Sequence, residues 1–134
     1  MLARLASALG LTLAGLLLKV ETGEGLLMRA ADQPTWRDPA SGYVRRQLFA
    51  RPDHPLEMVR VTMPPGQSVT MPEMSHRRIR EVVHVVEGAL TFVEGGRRTL
   101  LNEGDSLGYG HPSDVTYANE SDRPCTYIVF LSRS

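Results

Sequence analysis

The chain has 134 residues, of which 42% are apolar and 22% charged; these are globular proportions and exclude disordered, collagen-like and low-complexity classes. Fifteen basic and fifteen acidic side chains cancel, which argues against a protein living on non-specific contact with nucleic acid or anionic lipid. A single cysteine, Cys125, excludes an internal disulfide and a cysteine zinc cluster and fits a reducing cytoplasm. Twelve glycines and nine prolines predict many turns and hence a β-rich fold.

Residues 5–18 are uncharged and follow Arg4. They are too short for a comfortable membrane span. The charged run Lys19, Glu21 and Glu24 stands where a signal-peptide cleavage site should follow. The competing reading is a pair of short helices. Leu2, Leu5 and Leu9 form one apolar stripe, Gly10 suits a helix end, and Thr12 caps a second helix over 13–20. Residues 22–42 read as a linker punctuated by Gly23, Gly25, Pro34, Pro39 and Gly42, with a short edge strand expected over 26–30 and Trp36 as a hydrophobic clamp on the following domain. From residue 43 onward the pattern is that of strands, over 43–49, 56–63, 68–71, 81–87, 89–93, 98–101, 106–109, 115–118 and 126–131. Breakers such as Pro64-Pro65-Gly66, Gly95-Gly96 and Gly104-Asp105 separate them. Many short strands at even spacing imply a sandwich or barrel.

Within that region Glu81 is followed after six residues by Gly88, then by a strand, the Gly95-Gly96 turn, Gly104-Asp105 and, fourteen residues beyond Asp105, Asn119. With Gly66 and His76, this order resembles the two sequence motifs of the cupin family. The resemblance implies an all-β fold, the double-stranded β-barrel or jelly roll, over 43–134. Alternation along 81–87 places Glu81, Val83 and Val85 on one face and Val82, His84 and Val86 on the other. If Glu81 points into the barrel, His84 points out.

A metal-binding cupin carries two histidines and a glutamate in its first motif and a histidine in its second. Here the resemblance maps these positions onto Met74, His76, Glu81 and Val115. Thioether and isopropyl groups do not replace imidazoles at a divalent transition metal, so no metal cofactor is expected. The alternative is a divalent transition metal held by His76, Glu81 and His111. Without a metal, His76 and Glu81 are either a buried structural pair or the polar anchors of an apolar small-molecule pocket lined by Met74, Val83, Val115 and Tyr117. Arg77, Arg78 and Arg80 are either solvated charges or a guanidinium contact for an anionic ligand. Cys125 reads as packed rather than reactive.

The segment LARLASALGLTLAGLLL resembles the last two helices of the Xre-like helix-turn-helix domain, with Leu2, Leu5, Ala6, Leu9, Gly10, Leu11, Leu13 and Leu16 at its apolar or small positions. The fold expected is therefore a cupin barrel preceded by a short N-terminal helical hairpin over 1–21, a remnant of the DNA-binding domain. The two resemblances in this order imply the sensor part of a bacterial transcriptional regulator: a cytoplasmic homodimer that binds a small-molecule effector. Contact with DNA is expected only through a complete upstream helix-turn-helix, and none with membrane. The alternatives are a free-standing cupin enzyme, either an isomerase or a metal-dependent dioxygenase, and a non-catalytic binding module.

Overall fold

The computed structural model describes residues 26–72, 80–109 and 113–132. The helical hairpin expected over 1–21 lies outside them. A single 3-10 turn, Ala30–Asp32, precedes ten strands: β1 (Thr35–Arg37), β2 (Val44–Phe49), β3 (Leu56–Met63), β4 (Ser68–Met71), β5 (Arg80–Glu87), β6 (Leu90–Glu94), β7 (Arg97–Leu101), β8 (Ser106–Tyr109), β9 (Val115–Ala118) and β10 (Cys125–Ser132). They form two antiparallel sheets, one ordered β1-β2-β3-β10-β5-β8 and the other β4-β9-β6-β7. Among the described residues no helix is long and apolar enough to cross a membrane.

Each strand expected from residue 43 onward is present, with ends shifted by at most one residue. Two readings within 22–42 are corrected. Residues 26–30 form no strand, and the strand in this stretch is β1, antiparallel to β2 with Trp36 opposite Arg45. All three β1 residues are exposed. It is therefore held by backbone pairing to an edge, which leaves no burial pattern in its own sequence. Trp36 is 51% exposed and meets Tyr43 edge-on at 5.7 Å, so it borders the core without sealing it.

The core lies between the sheets. Val59, Val61 and Met63 of β3, Val83 and Val85 of β5 and Tyr127 of β10 face Leu90 and Phe92 of β6, Leu101 of β7, and Val115 and Tyr117 of β9. The alternation along β5 is as expected: Val83 and Val85 are fully buried, whereas Val82 and Val86 are about 40% exposed. Cys125 is fully buried and its thiol is pushed up to about 11 by burial, in keeping with a packing role.

Two turns fix the layers. Gly104 N–H donates to Val85 O and Val85 N–H to Asp105 O, so the Gly104-Asp105 turn is tied to the middle of β5. Gly88 turns the chain from β5 into β6 at a φ of 83°, where a Cβ would stand 2.6 Å from the Pro124 carbonyl oxygen and 3.1 Å from Cys125 Cα. Gly66 has a similar φ of 75° with open space around it. Gly66→Ala should therefore lose only the left-handed penalty, about 1–2 kcal/mol. Gly88→Ala adds a backbone collision to that penalty and should cost at least ~2 kcal/mol more. Urea unfolding of the two variants checks the difference; equal losses would contradict it.

Candidate functional site

Of the residues expected at the site, the structure describes Arg80, Glu81, Val83, Val115 and Tyr117. Met74, His76, Arg77, Arg78 and His111 lie outside the described residues. Glu81 and Tyr117 are brought together: Tyr117 Oη donates to Glu81 Oε1 at 3.5 Å. Val83 and Val115 belong to the core cluster on either side of this pair. Strand alternation places Arg80 on the outer side of β5 with Val82 and His84, away from Glu81.

The residue missing from the sequence reading is Tyr109. It ends β8 directly opposite Glu81 in the β5–β8 ladder, and its Oη lies 2.5 Å from Tyr117 Oη. Two signals in the sequence pointed to it. Leu107 and Tyr109 alternate onto one face, and a hydroxyl-bearing ring at an inward strand end needs a polar partner. What could not be read was the pairing of β8 with β5, which are separated by β6 and β7 in the chain.

These hydroxyls sit among stacked rings. Tyr117 lies parallel to Tyr127 at 5.3 Å with an interplanar angle of 7°, and edge-on to Phe92 at 5.5 Å. Phe92 in turn meets Tyr109 at 4.6 Å. Phe92, Tyr117 and Tyr127 are each at most 5% exposed. The aromatic cluster therefore lines the interior between the sheets, and the Glu81 carboxylate with the two phenols forms its polar centre.

Burial raises the Tyr109, Tyr117 and Tyr127 hydroxyls well above the ordinary phenol range. The neighbouring carboxylate of Glu81 pushes Tyr109 and Tyr117 further in the same direction, while the positive charge of Arg45 opposes the rise at Tyr117 and Tyr127. Both phenols beside Glu81 are thus neutral donors at ordinary pH.

The donor set can be tested against the divalent metal that many barrels of this kind hold. At the position where a second-motif imidazole would stand, Val115 is 92% buried as an apolar wall. Among the described residues no three histidines, cysteines or acidic groups converge, and neutral phenols are poor ligands for a transition metal. Of the alternative set of ligands the described residues supply the Glu81 carboxylate alone, because His76 and His111 lie outside them.

The tyrosines also make stability depend on alkaline pH. Their folded pKa values are raised above the unfolded value near 10. Their contribution is present in full below pH 10 and is lost as the pH rises above it, because the unfolded chain then releases protons that the folded one retains. The urea midpoint should accordingly fall steeply between pH 10 and about 11.5. Tyr109→Phe should flatten that fall, and absorbance near 295 nm should show the buried phenols ionising only with unfolding. Early ionisation of these residues in the native protein would contradict their placement.

The family profile described as cupin domain matches residues 59–131. No curated protein matches the chain. Many solved structures share its fold. The cupin domain of an XRE-family transcriptional regulator from Enterobacter cloacae superposes with a TM-score of 0.64 at 18% identity, covering 69% of this chain and 97% of that one. KdgF from Halomonas sp. superposes at 0.61 with 21% identity over 74% of this chain and 86% of that chain. A cupin-superfamily sugar phosphate isomerase from Silicibacter pomeroyi superposes at 0.62 with 20% identity over 81% of this chain and 76% of that chain. At these identities the likeness is one of fold alone. The matched profile covers more than half of the sequence and spans both sheets, from the inward valines of β3 to the end of β10; the chain belongs to the cupin domain family.

Proposed function

We propose that this chain is the small-molecule-sensing, dimerising cupin part of a bacterial transcriptional regulator of the Xre-like kind. The observation that carries this reading is the interior centre. The described barrel offers Glu81, Tyr109 and Tyr117 in hydrogen-bond contact among aromatic rings. Such a centre binds by hydrogen bonding and ring contact and carries no evident nucleophile. The leucine pattern of residues 1–21 supports the regulator reading, as the end of a helix-turn-helix joined by a linker to the barrel. In this reading DNA is contacted only through a complete helix-turn-helix, and the protein works in the cytoplasm.

The dimer face follows from the outer surface of the larger sheet. Met58, Phe130 and Val82 stand in one row across β3, β10 and β5, with Phe130 38% and Val82 41% exposed. A second copy covering this row would remove apolar surface from water. Glu81 and Val82 are adjacent on one strand, one facing the interior and the other facing the dimer surface. A ligand drawn to Glu81 thereby biases the strand that carries the interface, which is the element a population shift requires.

A free-standing enzyme of the isomerase type is the second reading, and the same centre favours it. A carboxylate with two phenols in contact can hold and relay protons in acid–base chemistry.

Two measurements test the first reading. Sedimentation should show a dimer that Phe130→Glu weakens by about tenfold or more; a monomer in the unaltered chain would overturn the dimer. In a thermal-unfolding screen, a small-molecule panel should contain stabilising compounds whose effect falls in Tyr109→Phe. Manganese, iron, zinc and nickel ions should leave the transition unmoved. Stabilisation by a metal alone, or catalytic turnover of a stabilising compound, would favour the enzyme.

A further inference from the structure

The apolar row on the outer face of the larger sheet begins where the chain joins that sheet. Phe49 stands opposite Met58, Met58 opposite Phe130, Phe130 opposite Val82, and Val82 opposite Gly108. The row crosses five strands, about 19 Å at four strand spacings. At its β2 end the Gln33 side-chain amide donates to Leu48 O, Gln33 Oε1 accepts from Arg46 Nε, and Arg46 Nη2 donates to Ala30 O. Residues 30–33 are thereby fastened against β2 beside Phe49. Leu26 and Leu27, just ahead of them, are exposed.

The sequence before Leu26 fits the row in composition, length and charge. Residues 5–18 hold seven leucines and no charged residue, and Ser7 and Thr12 are their only polar side chains. A stretch apolar on all sides needs cover on all sides. Leu5 and Leu9 share one helical stripe, and Leu13, Leu16 and Leu17 share another. Seven residues, 19–25, join this stretch to Leu26. Extended, they span about 23 Å, more than the width of the row. They also carry Glu21 and Glu24. Next to the row, Arg46 and Arg60 stand directly opposite one another. Like charges so placed destabilise a ladder, and an acidic tether offsets them.

We propose that residues 5–18 lie along the Phe49–Met58–Phe130–Val82 row of their own chain. The proposal goes beyond the dimer reading, because it assigns what lies directly on the row. A second copy then meets the row and the segment together.

Three methionines of the full chain report on this under peroxide oxidation read by peptide mass spectrometry. Met71 is exposed, Met63 is fully buried, and Met58 lies in the row. With the segment off the row about 10% of the time or less, Leu13→Asp/Leu16→Asp should speed Met58 oxidation about tenfold or more. Met71 should keep its rate, and Met63 should stay slow because the barrel remains folded. Oxidation is followed over a dilution series with sedimentation of the same samples, so that cover by the segment and cover by a second copy separate. A short bis-maleimide then places the segment. Ser7→Cys with Arg60→Cys, on the outer face beside Met58, should link within one chain. Ser7→Cys with Thr70→Cys, on the other sheet, should not link. Cys125 is buried and stays silent.

Unchanged Met58 oxidation in Leu13→Asp/Leu16→Asp would overturn the proposal. Protection of Met58 that is lost on dilution to the monomer would overturn it and leave the dimer reading standing. Protection that persists in a chain monomeric at every concentration would sustain it and remove the dimer reading. A link joining two chains would overturn it in favour of an exchanged segment. Capture of the full chain by phosphatidylcholine–phosphatidylglycerol vesicles, with Met58 freed, would overturn it in favour of a membrane surface.

Discussion

Asn119 holds the two sheets in register. Its side-chain amide donates to Met63 O at the end of β3 and to Arg123 O before β10, while its carbonyl oxygen accepts from the backbone and hydroxyl of Ser121. Its backbone accepts from Gly66 and donates to Gln67. One residue, 1% exposed, thus joins the exit of β3, the entry to β4, the end of β9 and the approach to β10 through its side chain and backbone together. A buried amide with every group satisfied specifies geometry because any alternative leaves a donor or acceptor unpaired at a cost of about 1–3 kcal/mol. Tyr117 lies two residues before it in β9, and Tyr127 eight residues after it in β10. The parallel stack of these two rings follows from the positions that Asn119 gives their strands.

That stack in turn decides what the interior can be. A barrel of two small sheets takes its interior chemistry from the side chains that line it. Here four rings from β6, β8, β9 and β10 stand between the layers, and the hydroxyls of two of them, Tyr109 and Tyr117, meet at Glu81. The carboxylate position of the cupin pattern is retained, and its surroundings among the described residues are phenolic and apolar. The same fold therefore presents a different chemistry, hydrogen bonding and charge within an aromatic wall.

The two faces of β5 connect this centre to the outside. Glu81, Val83 and Val85 serve the interior, while Val82, His84 and Val86 serve the outer surface, where His84 Nδ1 meets Ser106 Oγ at 2.7 Å. A strand with a polar centre at one end of its inner face and apolar residues on its outer face is mechanically suited to transmit a local change. It can move only as a paired unit with β10 and β8.

Much of this was legible in the sequence. The strands from residue 43 onward, the shared face of Glu81 and Val83, the opposite face of Val82 and the sharp turn at Gly88 all follow from period-two alternation and from residues whose backbone demands are local. Asn119 was legible as a turn-former, although its bonds to Met63 and Arg123 were not. The tertiary structure alone decided the rest. β1 escaped detection because an exposed edge strand is fixed by its neighbour's backbone and has no burial signature of its own. Tyr109 escaped because its role depends on β8 pairing with β5 across two intervening strands. Local pattern tells which face a residue lies on; which residue stands opposite is a property of long-range pairing, and no short window of sequence contains it.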